Sequence, residues 1–221
     1  MRRPSNPLAL AVLALLYEKP MHPYEMSSTL RFRQKEDSIK INYGSLYAVV
    51  ESLAKRGSID AVERVRDGRR PERTVYALTA PGEELLHSWL SELLAHPTRQ
   101  YTDFEAAMSL LPVLAPEVVR DLLEQRLKAL AAEADQYVQS RAEGAHMPAI
   151  FFVEGEYRAA LRDAEIAFVR ALVEQIATGT LGGLDVWRRV QEIKRSGGQH
   201  DLVGELQKEF DPDHAWGPDS E

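Results

Sequence analysis

The 221-residue sequence contains no cysteine, which excludes disulfide bonds, thiolate metal sites and cysteine nucleophiles and fits a reducing compartment. Aromatic residues make up only 8% of it, and no apolar run approaches the roughly 20 residues that a membrane-spanning helix needs. With 44% apolar and 28% charged residues, the composition is typical of a soluble globular protein and excludes wholesale disorder and collagen. The length suits one large domain or two modest ones.

The start of the chain combines two arginines with an apolar run over residues 8–16, and therefore has to be compared with a signal peptide. No small-x-small cleavage site follows Tyr17, and Pro7 stands where soluble helices often carry a proline in their first turn. We therefore expect a first helix of a cytoplasmic protein that does not associate with membranes.

The net charge of −7 is distributed unevenly along the chain. Residues 1–95 hold 14 lysines and arginines against 12 acidic residues, and residues 31–73 hold 11 against 7. Residues 96–221 hold 13 against 22. A polyanionic partner would therefore meet the first part of the chain.

Three helices are predicted before residue 57. The first ends at Pro20, and Pro23 opens the second, over residues 24–32. Residues 39–41 alternate as a very short strand would. Asn42 is a good N-cap for the third helix, which Gly57 terminates.

The third helix has an apolar stripe formed by Leu46, Val49, Val50 and Leu53, whereas the remaining face is small or polar. Such a face can lie close to another surface, and small or hydroxyl side chains can contact base edges in a major groove. An ordinary amphipathic helix with a solvated face explains the same pattern.

Two strands follow, over residues 59–65 and 74–78, and the segment between them carries an Asp-Gly turn signal and four arginines. The pattern predicts a hairpin with a basic tip that can contact phosphates. A basic hairpin alone can be a solvated turn, but three helices followed by a basic two-stranded wing is a much rarer order.

The first half of the sequence resembles the winged helix-turn-helix domain of the PadR family of bacterial transcriptional regulators. The matching motifs, in chain order, are Leu13-Ala14-Leu15-Leu16, His22-Pro23-Tyr24-Glu25-Met26, Gly44-Ser45-Leu46-Tyr47 with Leu53 and Gly57, and Tyr76-Ala77-Leu78-Thr79 with Gly82. Pro23 and Ala48 depart from the family pattern, which usually has Gly and Pro there. Thr79 can cap the helix that follows the hairpin.

Long helices predominate in the second half. Thr102 and Glu105 form a capping box that starts a short helix through Leu111, which Pro112 would stop. A long helix from about Pro116 to before Gly144 and another over residues 154–178 carry wide apolar stripes. These stripes require a partner surface, because two helices and a small winged helix cannot bury them.

This region resembles the C-terminal helical domain of the longer PadR proteins, which implies a homodimer formed through these helices. A monomeric helical bundle remains the alternative. The predicted architecture is mainly α: a winged helix-turn-helix over residues 1–95, a helical dimerisation and effector domain over 96–179, and a C-terminal extension over 180–221. The extension holds a possible helix over residues 184–194 and an acidic tail.

Motifs of catalysis are missing from the sequence. The six histidines form no HExxH pair, and neither a phosphate-binding loop nor a GxSxG motif is present. We therefore expect no enzymatic activity, no metal site and no cofactor.

The resemblance implies a sequence-specific DNA-binding regulator, a repressor of the winged-helix type that a small molecule releases from double-stranded operator DNA. The candidate DNA-binding residues are Lys40, Asn42, Tyr43, Ser45 and Tyr47 around the third helix and Arg66, Arg69, Arg70 and Arg73 of the wing. Tyr47 adjoins Leu46 and can equally belong partly to the core.

A small aromatic or hydrophobic effector is the ligand that the resemblance implies. The candidate lining residues are Trp89, Tyr101, Phe104, Phe151, Phe152 and Tyr157, although aromatic residues at these spacings are also ordinary core residues. The main alternative function is a winged-helix protein-interaction module that does not bind DNA. A MarR-type regulator, with a dimer built from both chain ends, and an enzyme with an unrecognised site are further alternatives.

Overall fold

The computed structural model describes residues 6–65 and 73–197, and the chain divides into two compact units, Met1–Gln100 and Tyr101–Glu221. Within the described residues the secondary structure consists of eight α-helices, a few short 3-10 turns and one two-stranded sheet. The predicted mainly α fold class is thereby confirmed. The loop at the tip of the predicted wing and the predicted acidic tail lie outside the described residues.

The first unit has the element order of a winged helix. Its elements are α1 (Pro7–Glu18), α2 (Pro23–Phe32), α3 (Tyr43–Lys55), β1 (Ile59–Val65), β2 (Arg73–Leu78) and α4 (Ala80–Ala95). Side-chain caps fix the helix starts: Asn42 accepts a hydrogen bond from the backbone N–H of Ser45 at 2.7 Å. At α4, Thr79 Oγ1 accepts one from Gly82 N–H at 3.1 Å. Both predicted N-caps are confirmed.

The sheet pairs β1 with β2 in antiparallel orientation, from Ile59 opposite Leu78 to Val65 opposite Arg73. The expected short strand at residues 39–41 is wrong, because this segment pairs with no strand among the described residues. The third backbone to join the sheet is Met21, which exchanges two 3.0 Å hydrogen bonds with Tyr76 of β2. Ile39 and Ile41 alternate because both pack against the core.

The core of the first unit surrounds α1, which is buried on several sides as its all-round apolar sequence predicts. Leu46, Val50 and Leu53 of α3 pack into this core, so the predicted buried stripe of α3 is confirmed. Leu86 and Trp89 of α4 complete it. The opposite face of α3 is thereby directed away from the core.

The second unit contains α5 (Asp103–Ser109), α6 (Pro116–Glu143), α7 (Val153–Thr178) and α8 (Leu184–Arg195). The predicted Thr102 cap of α5 is present, with Thr102 Oγ1 accepting from Glu105 N–H at 3.1 Å. The helix does not extend through Leu111 as expected. It ends at Ser109, and Pro112 lies inside a 3-10 turn, Leu111–Val113, which tolerates proline in its first positions.

Helices α6 and α7 form an antiparallel pair, as the ion pairs between them show. Arg126 of α6 contacts Glu165 of α7. Arg141, which comes later in α6, contacts Glu156, which comes earlier in α7. The buried residues Val119 and Leu123 of α6 pack with residues near the end of α7, including Ile176. The contact between the two helices is therefore apolar near Val119 and Ile176, and both ion pairs and the buried Leu130 follow farther along α6.

Helix α8 is amphipathic and packs on the same apolar end. Leu184 and Trp187 belong to the core of the second unit. The indole N–H of Trp187 donates to the backbone carbonyl of Leu114 at 2.7 Å, and Arg188 pairs with Glu117 at 3.0 Å. The predicted helix is thus present and is anchored to the segment that begins α6.

Candidate nucleic-acid interface

Helix α3 presents an uncovered surface that suits a nucleic-acid groove. On its side away from the core, the described side chains are small, hydroxylated or aromatic apart from the ion-paired Glu51 and Lys55, and the aromatic one, Tyr47, is 53% exposed. Ser45 is half-buried, and Gly44, Ala48 and Ser52 are exposed. Such a surface carries little bulk that would prevent close approach to base edges.

The predicted DNA-binding residues around the start of α3 have distinct local roles. Lys40 is exposed ahead of the helix, where a lysine can reach a phosphate. Asn42 is exposed as well, but its side-chain oxygen is occupied by the N-cap, so only its NH₂ group is left to donate outward. Tyr43 is the first residue of α3, and its side chain is outside the described part. Tyr47 follows the buried Leu46 but is itself half exposed, so it is not a core residue.

Helix α2, which packs against α3, has an N-cap that the sequence analysis missed. His22 Nδ1 accepts a hydrogen bond from Glu25 N–H at 3.1 Å, and the His22 ring stacks on Tyr24 at 6.1 Å between centroids. The sequence signal for this cap was a histidine, whose ring nitrogen can accept a hydrogen bond, placed directly before a proline that opens a helix. Tyr24 is exposed, so the stacked pair marks the N-terminus of α2 with an accessible ring.

An ion pair joins α1 to the end of α2. The Arg33 guanidinium donates two hydrogen bonds to the Glu18 carboxylate, one of them at 2.7 Å. These hydrogen bonds lower the pKa of Glu18 and raise that of Arg33. The pair thus joins α1 to the residue that follows α2, and α2 in turn packs against α3.

The wing is described at its base but not at its tip. Arg66, Arg69 and Arg70 lie outside the described residues, so their predicted phosphate contacts stay predictions. Arg73 begins β2 opposite Val65, and its side chain is not described either. The hairpin itself, which would carry these arginines beyond the sheet, is present as expected.

The six candidate effector residues are divided between the two units. Trp89 is only 3% exposed and is part of the core of the first unit. In the second unit, Phe104 lies under the Arg126 guanidinium and Phe152 under that of Arg141, at 3.7 and 3.9 Å from the ring centroids. The remaining three, Tyr101, Phe151 and Tyr157, are largely exposed. Phe151, Phe152 and Tyr157 share the region where α7 begins.

The described residues offer no alternative site of a metal-binding or membrane-spanning kind. Within residues 6–65 and 73–197, no cluster of three or more histidine, aspartate or glutamate side chains has the arrangement of a metal site. In the same part of the chain, no helix combines the length and the apolar character needed to cross a membrane.

Residues 12–88 match the model of the transcriptional regulator PadR-like family. This segment is PadR-like. It contains α2, α3, the hairpin and most of α4, and therefore every predicted DNA-binding residue. A comparison with curated protein sequences finds no significant match.

The similarity to solved structures covers a longer part of the chain than the PadR-like segment. Bacillus subtilis PadR in complex with operator DNA aligns with a TM-score of 0.63 at 18% identity, over 76% of this chain and 98% of that one. Its complex with p-coumaric acid aligns with the same score and identity over 77% and 98%. The Vibrio cholerae virulence activator AphA aligns with a TM-score of 0.60 at 17% identity, over 77% and 98%. At these identities the similarity concerns the fold.

Proposed function

We propose that the protein is a sequence-specific DNA-binding transcriptional regulator that acts in the cytoplasm. The observation that carries the proposal is the PadR-like winged helix, in which α3 is capped by Asn42 and leaves its small, polar face uncovered. The operator complex of Bacillus subtilis PadR supports it, because that protein has the same fold. The absence of catalytic motifs from the sequence agrees with a regulator that is not an enzyme.

In the proposed complex, α3 lies in the major groove and the wing follows the flanking backbone. Tyr47 and Ser45, with Asn42 and Tyr43, would face base edges, whereas Lys40 and the arginines of the wing would contact phosphates. Two copies would place their α3 helices in successive major grooves, about 34 to 36 Å apart on one face of the duplex.

The second unit supplies a surface for a second copy of the chain. Along α6 and α7, apolar side chains are exposed, among them Val138, Tyr157, Leu161 and Phe168, each by more than half. Apolar stripes of this length on paired helices are typical of an interface. We therefore propose a homodimer formed through the C-terminal helices.

A repressor that a small molecule releases is the form of regulation we propose. The p-coumaric acid complex of Bacillus subtilis PadR supports an aromatic effector, and the exposed Phe151 and Tyr157 offer rings for one to contact. Release requires that the effector bind the DNA-incompetent arrangement more tightly than the competent one. AphA is a virulence activator, so the sign of regulation has to be measured.

The proposal is tested by a gel shift of the purified protein on fragments of its genomic neighbourhood, with nonspecific competitor at two salt concentrations. We expect a discrete complex that resists competitor and weakens with salt. No complex from a folded dimer would favour the protein-interaction module instead. Adding phenolic acids to a formed complex then tests release, and transcription in vitro gives the sign of regulation.

The wing is tested with Arg69→Ala combined with Arg70→Ala. If both arginines bind phosphates, affinity falls for all sequences alike, and the slope of log K against log salt flattens by about 0.9 for each phosphate that is no longer neutralised. Lys128→Ala with Arg170→Ala removes the same charge from exposed positions of the second unit and serves as the control. A slope that changes equally in both variants would remove the wing from the DNA complex.

A further inference from the structure

The uncovered face of α3 carries a single acidic residue. Glu51 and Lys55 are the charged residues of this helix, with side chains 68% and 73% exposed, and they form an ion pair of 2.8 Å. The helix therefore has no net charge, although a helix that enters a DNA groove gains affinity from basic residues. A carboxylate at this position opposes DNA binding unless it meets a hydrogen-bond donor.

Helix geometry places Glu51 on the side that would face DNA. At about 100° per residue, it lies roughly 130° around the axis from the buried stripe of Leu46, Val50 and Leu53. Tyr47 and Lys55, four residues before and four residues after it, flank it on the same side. The residues nearest to Glu51 on the helix surface are Tyr47 and Ala48 in the preceding turn and Ala54 and its ion-pair partner Lys55 in the following turn.

The chemistry of a carboxylate is selective in a major groove. It only accepts hydrogen bonds, and the donors on base edges there are the amino groups of cytosine and adenine, of which cytosine is the usual partner of glutamate. The acceptor atoms of guanine and thymine and the phosphates repel it. The hydrogen bond from Lys55 lowers the pKa of Glu51, a carboxyl group that is ionised at neutral pH with or without this partner.

We propose that Glu51 is a specificity-determining residue of the DNA binding proposed above, which accepts a hydrogen bond from the amino group of a cytosine and disfavours sites that lack it. Lys55 orients the carboxylate. Glu51 thus lowers the affinity of the uncovered face of α3 for DNA in general and makes it selective for one base pair in each half-site. This inference rests on the proposed function and adds a residue to it.

The test is selection from a duplex library with 20 random base pairs, performed with wild type and with Glu51→Ala, which keeps a good helix former in α3. Binding is then measured on the selected duplex and on duplexes in which each C·G pair is replaced by T·A. We expect wild type to lose about tenfold in affinity at one replacement per half-site. Glu51→Ala should lose less than twofold there and bind random duplex more tightly.

Two further variants separate the carboxylate from other causes. Glu84→Ala makes the same charge change on an exposed position of α4 and should keep the wild-type motif. Glu51→Ala with Lys55→Ala removes both members of the ion pair. If discrimination returns in this double variant, a freed Lys55 was responsible and the inference is wrong. It is equally wrong if Glu51→Ala retains every base preference, whereas a wild type that enriches no motif overturns the proposed function itself.

Discussion

Gly82 is required by a close approach between α4 and the turn before β1. A Cβ atom at this position would lie 1.9 Å from the backbone carbonyl oxygen of Ser58. Ser58 is buried, and the same carbonyl accepts a hydrogen bond from Thr79 N–H at 3.2 Å. The obstacle is therefore backbone that is already held in place, and an added methyl group has to move α4 or break this contact.

The expected destabilisation follows from that geometry. Relieving a contact that is more than 1 Å too short requires a backbone shift, and overpacking of this kind costs typically about 1 to 3 kcal/mol. The greater helix propensity of alanine returns at most about 1 kcal/mol. For a unit of roughly 100 residues, 1 kcal/mol corresponds to about 4 to 8 °C. We therefore expect Gly82→Ala to lower the Tm of the first unit by about 5 to 15 °C.

Thermal unfolding followed by circular dichroism measures this change. Gly182→Ala is the matched control, because nothing lies within 4 Å of the added Cβ and no unusual φ is required there. We expect its Tm to stay within about 2 °C of wild type. A Gly82→Ala protein as stable as this control would show that the turn yields freely, and the packing argument would be refuted.

Three further changes test contacts within one or the other of the two units. His22→Ala should cost about 1 kcal/mol through loss of the α2 cap, and His22→Asn should restore most of it, as equilibrium unfolding in urea would reveal. The Glu18–Arg33 pair, whose side chains are nearly half exposed, should contribute at most about 0.5 kcal/mol. Because the pKa of Glu18 is lowered in the folded state, this stability is present above the unfolded pKa and is lost as the pH falls through the folded pKa. Glu18→Gln should therefore flatten the acid side of the plot of unfolding free energy against pH. Identical plots for the variant and wild type would contradict this assignment. Trp187→Phe removes the hydrogen bond to the Leu114 carbonyl and should speed amide hydrogen exchange in α8, while exchange in α1 stays unchanged. Equal exchange rates in α8 of the variant and wild type would show that this hydrogen bond does not stabilise α8.

Elements defined by local signals were predictable from the sequence. Asn42 before α3, Thr79 before α4 and Thr102 before α5 mark helix starts through side-chain capping, and all three do so in the structure. The buried stripe of α3 follows from its spacing alone. Such features depend on residues three or four positions apart, which the sequence displays directly.

Features that depend on distant partners were not predictable. Residues 39–41 have the alternation of a strand, yet the place beside β2 is taken by Met21, far from them in the chain. The end of α5 at Ser109 precedes a 3-10 turn in which the Pro112 carbonyl accepts a hydrogen bond from the side chain of Gln191, 79 residues later in the chain. For the candidate site, residue types indicated the helix face, but the exposure of Tyr47, which its position beside Leu46 left open, required coordinates.

The bridge between Met21 and Tyr76 also bears on self-association. An unpaired strand edge invites a strand from another molecule, and this bridge covers the middle of the free edge of β2. Within the described residues, the open edge of the sheet is therefore that of β1. A bulge at Val62 interrupts it between the acidic residues Asp60 and Glu63. Bulges and charges both discourage strand addition, so the winged helix can present a small sheet at its surface without favouring edge-to-edge aggregation.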